Sequence, residues 1–295
     1  MSFRSEYILS LLGENLANKS QEELKSSFKK AFDLGMHGLC FSPYLEGQEP
    51  GDYISEKQIT ERMKVIKPHT KWIRSFSCTD GNENIPRIAH EHGLKTLVGA
   101  WLGNNERINE NEIANVIKIA RDGHADIVAV GNEVMYRGDL TEDELLNFVT
   151  KVKSEIPDIP VGYVDAYYEF ENRPRITEAC DIILANCYPF WEGCDIEYSL
   201  LYMKDMYNRA LRAANGKKVI ISETGWPNIG EAFHGAKPSF ENAIRYFVNT
   251  QLWSHDDAVE IFYFSSFDES WKIHDEGDVG AFWGLWDKNE KLKFV

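Results

Sequence analysis

The sequence predicts an α/β fold closed into a (β/α)8 TIM barrel, with residues 1–295 as a single domain. Three observations predict it. Eight short apolar runs, rich in β-branched and aromatic residues, read as parallel strands buried on both faces. Amphipathic stretches separate them, so strand and helix alternate along the chain. No GxGxxG turn follows the first run, which disfavours an open, doubly wound sheet.

In chain order, the first four expected strands are GLCFS (38–42), KWIRSF (71–76), KTLVGAW (95–101) and DIVAVGN (126–132). The last four are PVGYV (160–164), DIILANC (181–187), KVIISE (218–223) and EIFYFSS (260–266). After the second strand, IPRIAHEHG reads as a helix. After the third, ENEIANVIKIARDG sets Ile113, Val116, Ile117 and Ala120 along one helical stripe. TEDELLNFVTKVKSEI opens with Thr141 three residues before Glu144, a capping-box signature. EYSLLYMKDMYNRALRAANG stops at Gly216, and SFENAIRYFVNTQLWS supplies the helix before the last strand.

Composition narrows the partners. With 43% hydrophobic and 27% charged residues the chain is globular rather than disordered. A net charge of −15 argues against nucleic acid or an anionic membrane as a partner and leaves a neutral ligand open. The N-terminus MSFRSEYILSLLGENLANKS has no long apolar run and no small-residue cleavage site. It therefore fits a cytoplasmic protein, or a secreted or periplasmic one whose signal has been removed. No stretch is apolar enough for a transmembrane helix, so membrane insertion is not expected. A monomer is the default expectation.

Several patterns fall short of a metal or a different chemistry. The five cysteines, Cys40, Cys78, Cys180, Cys187 and Cys194, lack CxxC spacing and read as free thiols. His90 and His92 are two residues apart and point apart on a helix, and no HExxH occurs. The run from Asp80 begins like a calcium loop but has Ile85 where that loop needs glycine. No GxSxG surrounds Ser222. The expectation is no metal and no cofactor.

Chemistry in a barrel sits at the C-terminal ends of the strands. Glu133, preceded by Asn132, closes the fourth expected strand, and Glu223 closes the seventh. A carboxylate directly after an apolar strand is costly unless it is paired or functional. Two of them facing across a barrel mouth match glycosidic bond hydrolysis. That reaction needs one carboxylic acid to protonate the leaving oxygen and one carboxylate to attack or to activate water.

KKVIISETGWPNIG (217–230) resembles the nucleophile signature of glycoside hydrolase family 17, the β-1,3-glucanase and lichenase family. IRSFSC, GNEV, NCYPF and FSSFDESWK follow strands two, four, six and eight in that family's order. The resemblance implies a retaining β-1,3-glucan (laminarin-type) hydrolase, with Glu133 as acid/base and Glu223 as nucleophile. It also implies that Glu269 and Lys272 assist from strand eight, the lysine favouring an ionised nucleophile. Some microbial relatives of this kind are β-1,3-glucanosyltransferases on the same glutamate pair. A catalytically silent carbohydrate-binding barrel is the remaining alternative.

Other positions are expected to touch substrate or orient the pair. Asn132 would meet the sugar 2-hydroxyl, and Arg74 and Tyr188 would orient Glu223. Tyr44, Phe190, Trp191, Trp226, Trp271, Trp283 and Trp286 fall near the catalytic-face loops, where aromatic faces suit pyranose rings. Tyr44, Trp226 and Trp283 are the preferred sugar contacts. The first-strand region CFSPYLEGQEPGD is closer to bacterial and fungal cell-wall members than to the plant enzymes, which leaves endo or exo action open.

Overall fold

The computed structural model describes residues 11–295, so the first half of the N-terminal stretch considered as a leader lies outside the described residues. Eight parallel strands close on themselves in chain order, β1 pairing with both β2 and β8. They are β1 (Met36–Cys40), β2 (Thr70–Ser75), β3 (Lys95–Ala100) and β4 (Ile127–Asn132). The other half is β5 (Val161–Ala166), β6 (Ile182–Asn186), β7 (Lys218–Thr224) and β8 (Ile261–Tyr263). The main helices around them are α1 (Gln21–Asp33), α2 (Glu56–Ile66), α3 (Ile85–Glu91) and α4 (Glu106–Arg121). They continue as α5 (Glu142–Glu155), α6 (Pro174–Ala179), α7 (Ser199–Ala213) and α8 (Phe240–Asp256).

The expected strands are all present, with no end moved by more than three residues. The last one changes most. It was expected to reach residue 266 but ends at Tyr263, because the chain beyond leaves the ladder. There the Ser265 N–H donates to Trp283 and the Ser266 N–H to Cys40.

Three of these helices went unread in the sequence: α1, α2 and the short α6. The caps of the first two carry the signal that marked α5. Ser20 and Glu23 form a reciprocal capping box, as Thr141 and Glu144 do, and Ser55 accepts from the Gln58 N–H. Helix α1 fills the gap in the helical ring between α8 and β1. It lays Phe28 and Phe32 against Phe247, with ring centroids 4.8 and 6.2 Å apart. The C-terminal Phe294 seals the same cluster, 5.2 Å from Phe28.

The barrel is irregular where chemistry is expected. On β4, Ala129 and Asn132 pair with Gly162 and Val164, so the strand holds one extra residue. On β7, Ile221 and Glu223 pair with consecutive residues Ala185 and Asn186, again one extra. Such bulges bend a strand and re-aim its side chains. Gly131, at φ 86°, supplies the left-handed backbone that the first one needs. Among the described residues, no helix is long and apolar enough to cross a membrane.

Candidate active site

Both bulges end in a glutamate. Glu133 follows β4 in a left-handed conformation, φ 52°, unusual for a residue with a side chain. It is held there from both sides. Its own N–H donates to the Val164 carbonyl at 2.8 Å, and a one-turn helix, Val134–Arg137, starts immediately after it. That turn is tied down from β5: the Met135 N–H donates to the Tyr163 hydroxyl at 2.9 Å, and Tyr163 in turn donates to Asp165.

Glu223 sits across the barrel mouth, 6% exposed. Both its carboxyl oxygens are engaged. Arg74 Nη1 donates to Oε1 as a buried ion pair, and the Tyr188 hydroxyl donates to Oε2 at 2.8 Å. Arg74 is itself fully buried. It donates to Asn132 Oδ1 at 2.6 Å and to the Ser222 carbonyl at 3.0 Å, and stacks over Phe76 at 4.4 Å. One guanidinium thus joins the ends of β2, β4 and β7. The fork geometry of arginine is what permits this, and lysine lacks it.

The two glutamates line one cleft of about 580 Å³. Their surroundings differ in kind. Glu133 Oε1 accepts only from the Asn186 amide, at 2.8 Å. Burial and the neighbouring charge of Glu223 push its carboxyl up to about 7. Asp165 adds to this, while Asn186 and Arg74 oppose it. Glu223, by contrast, receives a cation and a hydroxyl. A protonatable acid thus faces a paired carboxylate across one cleft.

Tyr188 and Trp283 line the cleft beside the pair, and Trp191 completes an aromatic wall, 5.6 Å from Trp283. Asn132 is buried and stands outside the cleft lining. Its Oδ1 is taken by Arg74, so its amide N–H groups are what it has to offer a ligand.

Other expected contacts lie elsewhere. Trp226 is 2% exposed, packs between Phe190 and Tyr246, and donates its indole N–H to the Lys237 carbonyl at 3.1 Å. It has no face to give a sugar, which corrects the expectation. Trp286 is likewise buried, against Phe32 and His69. Tyr44 stands outside the cleft lining, its ring against Trp271 and its hydroxyl accepting from Asn82. Glu269 and Lys272 also lie outside the lining. They pair with each other at 2.7 Å, and the Lys272 ammonium rests 4.2 Å over Phe264. The field of Glu223 still reaches the lysine and contributes to its raised pKa.

Four residues of the site went unassigned in the sequence: Asn186, Tyr163, Asp165 and Glu276. Asn186 ends β6 inside the NCYPF motif, so the strand-end rule reaches it. It bridges the two bulged strands, donating to Glu133 and accepting from the Ser222 hydroxyl at 2.8 Å. Asp165 is the last residue but one of β5, within reach of the same rule. Glu276 has no such signal, because it ends a one-turn helix, Ile273–Glu276, well past the last strand, that only folding brings to the cleft.

The cysteines are free, and four of the five are buried. A second cavity of about 560 Å³ near the C-terminus is bordered by Lys293, whose ammonium is already satisfied by Asn228 and Asp268. Among the described residues, no cluster of three or more metal-ligating side chains occurs. Gly225 of the SETGWP motif runs so close to the Phe264 carbonyl that a Cβ there would collide with it.

Comparison with known proteins adds a family. Residues 38–284 match the model of the BtgE/BtgC glycoside hydrolase domain. A glucan 1,3-beta-glucosidase of Arthroderma benhamiae is 30% identical, over 78% of this chain and 81% of that relative. One of Saccharomyces cerevisiae is 26% identical, over 90% and 89%. The crystal structure of the glycoside hydrolase family 17 beta-1,3-glucanosyltransferase from Rhizomucor miehei superposes with a TM-score of 0.79 at 26% identity, over 88% of this chain and 96% of that one. The chain belongs to the BtgE/BtgC glycoside hydrolase family, in keeping with the family 17 resemblance of its SETGWP motif.

Proposed function

We propose that this protein hydrolyses β-1,3-glucan with retention of configuration, using Glu133 as acid/base and Glu223 as nucleophile. The observation that carries the reading is the difference in environment across one cleft: a buried carboxyl with a raised pKa opposite a carboxylate paired with Arg74. In the first step Glu133 gives its proton to the glycosidic oxygen as that bond breaks, and Glu223 bonds to the anomeric carbon. In the second, Glu133 takes a proton from water, the oxygen attacks the same carbon, and Glu223 leaves. Retention calls for the two carboxyls about 5–5.5 Å apart.

Arg74 and Tyr188 hold both oxygens of Glu223, and in this reading the Asn132 amide donates to the sugar 2-hydroxyl. That contact strengthens in the transition state. The test is a time course on laminarin and laminarihexaose, with products separated by size and their first-formed anomer read by proton NMR. Shorter oligomers released as the β-anomer are expected. An α-anomer as the first product would contradict the nucleophile role.

A second reading keeps the glutamates and replaces water with a sugar acceptor. It rests on the likeness to the Rhizomucor miehei glucanosyltransferase and on the aromatic side of the cleft, where Tyr136 and Tyr168 join Trp191. Products longer than six units from laminarihexaose would favour transfer.

Asp165 supplies a pH prediction. Its carboxylate field helps to raise Glu133, so Asp165→Asn, which keeps an acceptor for Tyr163, lets the acid fall. The alkaline limb of kcat/KM is then expected to move to lower pH, by less than about one unit. An unmoved limb in a folded variant would show that Asp165 only holds the turn.

A further inference from the structure

We propose that Glu276 and Trp283 form a clamp for one hydroxyl of a neutral glucosyl unit, and that this wall of the cleft discriminates against uronic acids. The inference rests on the reading of the cleft as a β-glucan site and extends it to what each sugar may carry.

The two side chains stand on the segment that follows β8, and both line the cleft that holds Glu133 and Glu223. Trp283 is 3% exposed. Its indole is locked by Tyr188, Phe190 and Phe264, with centroids 5.6, 5.4 and 5.9 Å away. Its backbone carbonyl accepts from the Ser265 N–H at 3.1 Å. A ring so held cannot turn to find a partner, yet its Nε1 makes no well-formed hydrogen bond. Across from it, Glu276 Oε2 is buried and accepts from nothing. The indole N–H lies within reach of the carboxyl as a weak donor to it, which opposes the rise in its pKa, but the contact falls short of a well-formed hydrogen bond and leaves both groups with capacity to spare.

Unpaired buried donors and acceptors are rare in folded proteins, and each calls for an explanation. The nearby cation does not supply one, because the Lys272 ammonium is committed to Glu269 Oε2 at 2.7 Å. A hydroxyl does. It accepts from the indole N–H through its oxygen and donates its proton to the carboxyl, so one group satisfies both residues. A pyranose presents such hydroxyls around an otherwise apolar ring, and the aromatic wall suits its faces.

The charge of the lining sets the exclusion. Glu133, Glu192, Glu223, Asp275 and Glu276 all border the cleft, and no lysine or arginine does. A substrate carboxylate would meet acidic side chains around it, with no cation in that lining to receive it. A neutral glucosyl unit meets none of that cost.

The experiment uses Glu276→Gln and Trp283→Phe, each checked for an unchanged melting temperature. Wild type and variants are assayed on an aryl β-laminaribioside and its monodeoxy analogues. Laminaritriose binding is measured by calorimetry in the same proteins. Each variant is expected to lose about three- to tenfold in kcat/KM on the parent, as loss or weakening of one hydrogen bond implies. On the one analogue lacking the clamped hydroxyl the wild type falls as far, and the variants fall no further. Equal losses on every analogue, or unaltered laminaritriose affinity in both variants, would overturn the clamp while leaving the hydrolase reading intact. A wild type that neither cleaves nor binds these sugars would overturn both. Turnover of a glucuronide-bearing analogue at the parent's rate would overturn the exclusion.

Discussion

Glu223→Ala is expected to abolish turnover of laminarin, with kcat lower by about 10⁴-fold or more, as removal of a covalent nucleophile does. The change also breaks a buried ion pair. Arg74 would keep Asn132 and the Ser222 carbonyl as acceptors but lose its anion. A cost of about 3–5 kcal/mol in stability follows from stranding a buried charge. Glu223→Gln keeps an oxygen acceptor for Arg74, and its amide N–H can donate to the Tyr188 hydroxyl, so it should be equally inactive and less destabilised. Comparing the two by denaturant unfolding and residual rate separates chemistry from folding. Added azide should restore activity to the alanine variant as an α-glucosyl azide, because the small anion occupies the vacated attack position. Substantial residual laminarin cleavage without azide would refute the assignment.

Glu133→Gln is expected to cripple natural glucans by about 10²–10⁴-fold, the range for general acid–base catalysis. Aryl glycosides with good leaving groups need little protonation, so the first step on them should be largely spared. Equal losses on both substrates would sink the acid role. The pH dependence has a definite sign. The acid form of Glu133 exists below about 7, so wild-type activity declines as pH rises through that value. The variant should lose that limb.

Stability follows the same titration. A carboxyl whose pKa is raised on folding binds its proton more tightly in the native state. Native stability therefore falls as pH climbs from the unfolded value, near 4.5, to about 7, and stays lower above it. Glu133→Gln removes that penalty. The variant should be more stable than wild type at pH 8, by on the order of 2 kcal/mol, with the gap closing below about pH 4. Urea melts at the two pH values check it. Such a trade of stability for activity is common where an acid is held in an unfavourable setting.

The barrel and its two glutamates were legible in the chain because their signals are local. Continuous apolar runs such as DIVAVGN and KVIISE must be buried on both faces, and alternating them with amphipathic helices leaves few topologies. Glu133 and Glu223 stand at the ends of two such runs, where a carboxylate has no structural excuse. The caps of α1 and α2 were equally local and equally legible: Ser20 with Glu23 spells the same box as Thr141 with Glu144.

What only the tertiary structure decided is where side chains point and what meets them. Trp226 and Trp283 lie in neighbouring motifs and look alike as candidate sugar contacts. One is sealed behind Phe190, while the other borders the cleft with its N–H unpaired. No pattern in sequence separates them, because the difference lies in packing between segments dozens of residues apart. The extra residues in β4 and β7 belong to the same class. A bulge exists only relative to a partner strand, and it is the bulges that turn Glu133 and Glu223 toward one another. Local chemistry singled out the two glutamates proposed to carry the reaction; long-range register and packing determined the geometry in which they stand.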